Sequence, residues 1–346
     1  MPSVPFARFL QPSWQALSNL ARIRPKTAKR TVGLDVGSAS IKVVIMGPPK
    51  ALRARSLLAH HVVPFGDSPE ASASGAIKAL IGGLHLPIKS VHLSVSGQWV
   101  IMRVVEMPVL KPQELAQALP FEAQRYLPFN IQDVVLDGAI LGPADANKLW
   151  VLIVACKREL LERRIEWVRQ AGLEPAAIDI DALAVANAFA DQLNGTKASG
   201  VHALINVGAQ WTNLAVLKGG IPYLVRDIPW GAAKWIRHMA EGLGAEEATL
   251  ATQVQQASVP PELQPAMKAS CEALTTELQL SFDFFENRFG PSPEQVFVTG
   301  GLSQCAGFLD AFKSHLAQPL AVWTPGQGLP GQFSVAYGLA LRPPVG

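Results

Sequence analysis

Along this chain, short apolar runs bounded by glycine and serine alternate with longer stretches of helical spacing. Such runs predict strands, because successive side chains on a strand face opposite ways, whereas apolar residues three and four apart predict one face of a helix. "TVGLDVGSASIKVVIMG" reads as strand, turn, strand, and "ARSLLAHHVVPF" as a third strand. "SASGAIKALIGGLHL" has helical spacing, with Ser72 or Ser74 placed as its N-cap. "VHLSVSG" and "WVIMRVVEMP" return to strand, and Pro108 stops the second. "KPQELAQALPFEAQRYLPF" predicts a helix with a kink or junction at Pro120, and strands follow in "DVVLDGAIL" and "KLWVLIVACK". "RELLERRIEWVRQAGL" sets Leu160, Leu161, Ile165 and Val168 near one face and ends at Gly172. "AAIDID" is a strand and "ALAVANAFADQL" a helix.

Near residue 200 the pattern restarts. "HALINVGAQWTNLAVLKGG" repeats the opening plan of strand, glycine turn, strand. Leu34-Asp35-Val36-Gly37 aligns with Ile205-Asn206-Val207-Gly208, and Ser40 and Lys42 fall close to Thr212 and Asn213. Then come "LVRDIPWG", a helical region from Gly231 to Arg288, and strand, Gly-Gly, helix in "QVFVTGGLSQCAGFLDAFKSHL". Matching halves imply internal duplication, with a ligand cleft between them.

Composition narrows the classes. In 346 residues, 49% hydrophobic and 16% charged, a large core is available and disorder is excluded. The net charge of +3 hides an asymmetry: residues 1–30 hold six Lys or Arg and no acid, so the remainder carries −3. In this arm Phe6, Phe9, Leu10, Trp14, Leu17 and Leu20 recur at roughly helical spacing. A flexible leader and an amphipathic arm on anionic lipid or a partner both fit. A secretory signal does not, because most basic residues follow the apolar part. Nucleic-acid binding is disfavoured by the acidic body. Cys156, Cys271 and Cys305 read as reduced packing residues, and the seven histidines show no metal-ligand spacing.

The glycine turns carry the candidate chemistry. "DVGSAS" alone fits an ordinary hairpin, or an anion nest of backbone N–H groups beside a Mg²⁺-holding aspartate. The order "DVGSAS", "NVGAQWT", "VTGGLSQCAGF" resembles the actin, sugar kinase and Hsp70 arrangement. "GLDVGSASIKVV", "LPFEAQRYLPFNIQDVVLD", "AGLEPAAIDIDALAVANAF" and "FVTGGLSQCAGF" resemble the PilM family of actin-like type IV pilus assembly proteins, with FtsA more distant, over about residues 30–342.

That resemblance implies an α/β actin-like ATPase fold: two duplicated, ribonuclease H-like half-domains around a nucleotide cleft, with a small inserted α+β subdomain of the FtsA/PilM type. The expected division is a basic arm over 1–30, a first half over 31–96, 176–200 and 320–346, an inserted subdomain over 97–175, and a second half over 201–319. It further implies ATP and Mg²⁺ as cofactors. Asp35 would face Mg²⁺ through water. Gly37, Ser38 and Ser40 would cradle phosphates, Lys42 would add charge, and Asn206, Gly208 and Thr212 would form the second phosphate loop. Gly300, Gly301 and Ser303 would lie against adenosine. The implied partners are the cytoplasmic N-terminal tail of a PilN-like inner-membrane protein and other pilus assembly proteins. Phe121, Tyr126, Leu127, Pro128 and Phe129 are the candidate docking residues, against core packing of the insert. The implied location is cytoplasmic and peripheral on the inner membrane.

The sequence departs from this family at the second loop, where Asn206 replaces an aspartate and Trp211 a smaller residue. An amide adds no charge to hold the ion and is a very poor base. Thr249 and Thr252 fall where the family carries Glu and Lys, and Leu280 where it carries Arg, between the matching Glu277 and Ser281. ATP binding with weak or no hydrolysis, or loss of the nucleotide, follows from these changes. The alternative is an active ATPase or small-molecule kinase. Asp179 and Asp181 are the cleft carboxylates it would use, although helix caps explain them equally.

Overall fold

The computed structural model describes residues 30–48, 55–65, 69–145, 147–193, 200–255 and 260–343. The apolar stripe of the arm lies outside these residues. The chain opens with an antiparallel meander of β1 (Thr31–Val36), β2 (Ser40–Met46) and β3 (Leu57–Pro64). Helix α1 (Pro69–Gly82) leads to β4 (Ser90–Val95), parallel to β1. Because α1 begins at Pro69, Ser72 and Ser74 lie within the helix rather than at its cap. Proline suits the first position, where its missing N–H has no helical partner to lose.

The chain then leaves this sheet for the insert: β5 (Val100–Pro108), α2 (Pro112–Ala123), β6 (Val134–Pro143) and β7 (Lys148–Lys157). Its strands are antiparallel in the order β5-β7-β6. α2 continues through Pro120 into its final turn, and along its length Leu115, Leu119 and Ala123 form a small core with Val105, Met107, Val151 and Ile153. Helix α3 (Arg158–Gln170) returns to β8 (Glu174–Ile180), parallel to β4, and α4 (Asp181–Gln192) follows. Gly172 ends α3's turn at φ +82, a left-handed conformation that glycine adopts without steric cost. The first sheet is thus β3-β2-β1-β4-β8.

The second half repeats it. An antiparallel meander of β9 (Val201–Val207), β10 (Thr212–Lys218) and β11 (Ile221–Ile228) is followed by α5 (Ala232–Leu243), α6 (Glu247–Gln253) and α7 (Gln264–Phe289). Then β12 (Gln295–Thr299) pairs parallel to β9, α8 (Ala306–Lys313) follows, and β13 (Leu320–Val322) pairs parallel to β12. The order β11-β10-β9-β12-β13 copies the first sheet strand for strand. The expected return to the first half at residue 320 therefore falls one strand early, since β13 completes the second sheet.

The last helix, α9 (Ser334–Leu341), is the true return. It packs on β1 and α4, and a core of Val44, Met46, Ala184, Phe189, Leu204, Leu217, Phe333 and Leu339 joins both sheets. Two glycines permit this closeness. A Cβ on Gly33 would stand 2.0 Å from the Ala336 carbonyl oxygen, and one on Gly338 only 1.8 Å from that of Ala184.

Candidate functional site

The two meanders present equivalent turns to one cleft. In the first, Gly37 N–H donates to the Ser40 carbonyl at 3.1 Å, and Asp35 and Lys42 are cross-strand partners. Their side chains form a part-buried ion pair, Nζ to Oδ2, of 3.0 Å. Ser38 and Ser40 flank the turn half-buried. Lys42 is thus committed to Asp35 while standing 3.1 Å from where a Cβ on Gly37 would lie, directly beside the turn backbone. Arg164 of α3 donates to the Val36 carbonyl at 2.6 Å. Burial lowers its pKa, and the charges of Asp181 and Asp35 oppose that.

In the second meander, Gly208 N–H donates to the Trp211 carbonyl at 2.9 Å, and Asn206 and Asn213 are the cross-strand partners. By register Asn213 stands where Lys42 does, while Trp211 rather than Thr212 answers to Ser40. Two amides thus replace an ion pair. Asn206 Nδ2 donates to Asn213 Oδ1 at 2.7 Å, and Asn213 Nδ2 donates to Asp227 Oδ1 at 2.7 Å. Asp227 Oδ2 accepts from Gly97 N–H at 2.6 Å, so this chain of bonds runs from the second loop to the root of the insert. Burial, with Asp181 adding, pushes the Asp227 carboxyl up to about 7, against the Asn213 and Gly97 hydrogen bonds.

Several expected contacts have other duties. Thr212 is fully buried and its hydroxyl donates to the Trp230 carbonyl at 2.8 Å, a packing role rather than a phosphate contact. Ser303 is buried and donates to the Gly300 carbonyl at 2.7 Å, which closes the Gly-Gly turn instead of facing adenosine. Gly300 has φ +96, and a Cβ there would meet the Val207 carbonyl at 2.5 Å and Asn206 Oδ1 at 2.6 Å. Only glycine lets this turn sit against the second loop. Gly301 is open to space. Glu277 and Ser281 both bind Arg226 of β11, at 2.8 and 3.0 Å, and so tie α7 to the sheet edge. The Trp211 indole lies over Gly97, 3.1 Å from where a Cβ would be, at the rim of the cleft.

The cleft also gathers a residue discounted as a helix cap. Asp181 opens α4, and its pKa is raised by burial and by Asp35, with Ser94, Ser96 and Arg164 opposing. Asp179 differs: it is fully buried, paired with Arg342 at 2.8 Å, and accepts from Ile180 N–H. An anion at the first turn would compete with Asp35 for Lys42, which stands beside the turn backbone. The second turn does not fit a metal-activated water, since Asn206 brings no charge and Asp227 is engaged on both oxygens.

Of the candidate docking residues, Phe121 is 78% exposed on α2 and Pro128 is exposed, whereas Tyr126 and Leu127 pack on the insert's small core. Phe129 joins two residues that the pattern did not single out. Lys157 Nζ lies 4.1 Å from the ring centre of Trp99 and 4.8 Å from that of Phe129. Trp99 is 39% exposed, so this cation–aromatic cluster faces outward.

Duplicated sheets of this order, turned glycine loops facing one cleft, and an inserted three-stranded sheet define an actin-like ATPase fold. The family model for type IV pilus assembly protein PilM matches residues 33–342, and the chain belongs to that family. It is similar to a chain of a PilM–PilN type IV pilus biogenesis complex, at 24% identity over 92% of this chain and 99% of that one, with a TM-score of 0.80. The ethanolamine utilization protein EutJ from Carboxydothermus hydrogenoformans is also similar, at 16% identity over 92% of each chain and a TM-score of 0.57. At these identities the structural likenesses speak for the fold.

Proposed function

We propose that this protein is an actin-like scaffold of type IV pilus assembly that docks the N-terminal tail of a PilN-like inner-membrane protein. On this reading it binds ATP at the first loop with little or no turnover. The observation that carries the scaffold reading is the second loop: where a carboxylate would hold Mg²⁺ and its water, Asn206, Asn213 and Asp227 bond one another. If bound, ATP would supply phosphate charge for the first turn to hold, and Lys42 and the Gly37–Ser40 backbone would hold it. Asp35, beside Lys42, would face the metal.

Docking finds support in exposed aromatic area on the insert. Phe121, Trp99 and Phe129 offer rigid apolar surface of the kind that anchors an interface, and Lys157 adds charge beside it. The partner in the similar solved complex is PilN. Among the described residues no helix is long and apolar enough to cross a membrane. A bitopic partner would therefore hold the protein at the cytoplasmic face of the inner membrane, with the basic arm against anionic lipid and other assembly proteins nearby. An ATPase or kinase reading would rest on Asp181, whose raised pKa beside Asp35 suits a proton acceptor.

Calorimetric titration with a synthetic PilN-like tail tests the scaffold reading. Binding is expected, weakened about tenfold or more by Trp99→Ala together with Phe121→Ser. ATP with Mg²⁺ should give binding heat and background hydrolysis, with or without the tail. No binding of the tail, or steady multiple turnover of ATP, would reject the scaffold reading.

A further inference from the structure

A cavity lies between the insert and the second sheet, with Trp211 of the second turn in its lining. It encloses about 570 Å³ and is lined by residues 100–104 of β5 and 223–227 of β11. Its lining has an informative period. A cavity over one face of a strand meets alternate residues, because side chains alternate. Here five consecutive residues line it on each strand, so the cavity runs along two strand edges. Both strands are terminal in their sheets: β5 pairs only with β7, and β11 only with β10. An open edge offers a row of backbone donors and acceptors to an added strand. Five residues of strand span roughly 13 Å, a slot rather than a compact bowl.

The side chains specify what would enter. Val100, Met102, Val104, Tyr223 and Phe289 give apolar walls, and Phe284 at the mouth is 47% exposed. The polar lining is mainly cationic. Arg226 is engaged with Glu277, and Asp227 with Gly97 and Asn213. Arg103 and Arg288 are exposed, and Arg288 rests over the rings of Trp150, Phe284 and Phe289. Among the described residues neither arginine has a carboxylate partner. The chain's own arm is a poor match, since residues 1–30 carry six cations and no acid.

We infer that this slot receives an extended segment of a partner protein in which acidic side chains alternate with apolar ones. It adds as a strand to β5 or β11, with carboxylates on Arg103 and Arg288. Backbone bonding supplies affinity, and the arginines select the sign of charge. Neither Trp99 nor any of the five candidate docking residues lines the slot, although Trp99 adjoins Gln98 and Val100, which do, so the test below separates the two surfaces.

A fluorescent peptide of alternating valine and glutamate is the probe, with the valine and lysine counterpart as control. The acidic peptide should bind the full chain and slow amide exchange across residues 100–104 or 223–227. Arg103→Glu with Arg288→Glu should weaken it at least about tenfold. Both positions are exposed, so unchanged melting is expected and shows that folding is intact. Equal binding of the lysine peptide, no binding of the acidic one, or protection elsewhere overturns the inference. Loss of PilN-like tail binding in the same variant would make the slot that tail's site and overturn it as a second surface. Faster exchange at these amides on deleting residues 1–29 would assign the slot to the arm and overturn the inference as well.

Discussion

Asp35 and Lys42 show how much one cross-strand pair decides. Their ion pair is largely shielded at the base of the first turn, so removing one partner leaves a poorly solvated, uncompensated charge. Lys42→Ala should cost about 1–3 kcal/mol by urea denaturation, the cost of leaving a mostly buried acceptor unsatisfied. Adding Asp35→Asn should recover much of it, because no charge is then stranded. Asn206 sets the opposite problem. Asn206→Asp would aim a carboxylate oxygen at Asn213 Oδ1, acceptor against acceptor, in place of a 2.7 Å hydrogen bond. ATP hydrolysis should therefore rise by less than about tenfold, or 1.4 kcal/mol of barrier, while the melting temperature falls. His92 supplies the pH test. Burial, with the charges of Arg342 and Arg55, lowers its pKa to about 4, despite its contact with the Leu339 carbonyl. The unfolded histidine takes a proton near pH 6.5, so stability is intact above that and lost as pH falls toward 4. Between pH 7 and pH 4.5 wild type should lose on the order of 2 kcal/mol that His92→Gln does not, measured by denaturant melts at both values.

At the scale of elements, hydrophobic spacing made most strands and helices legible. β1 and β2, the repeated hairpin of β9 and β10, and the amphipathic α3 follow from residues that must face a core. β13 has only three residues, too short for a period to show. α9 is buried on nearly every side, so it has no polar face to mark it as a helix. The site was legible only in part. Asp35, Lys42 and Asn206 sit on strands beside turns that local sequence announces. Gly97 and Asp227 meet across 130 residues, and Trp99, Phe129 and Lys157 come from separate elements, so only the fold brings them together. Thr212 and Ser303 have turn-like neighbours but inward hydroxyls, a distinction that burial alone makes. The crossing of α4 and α9 has its own test. Gly338→Val would drive a side chain into the Ala184 carbonyl and should cost on the order of 3 kcal/mol or more, seen as a lowered melting temperature or loss of soluble protein.

At the scale of the molecule, the halves are joined by α4 and α9, and the second loop is joined to the insert through Asp227 and Gly97. α9 closes the first sheet from the far end of the chain: Leu339 meets His92, and Ala336 lies on Gly33. This fixes an order of events during synthesis. Strands β1 to β4 can leave the ribosome and pair, but the apolar face that α9 covers stays open until residues 334–341 have been made. The first half is thus the last to be finished. A nascent chain arrested after β13 should be cut by protease within β1 and β2 while β9 to β12 resist, and release of α9 should bring protection to both.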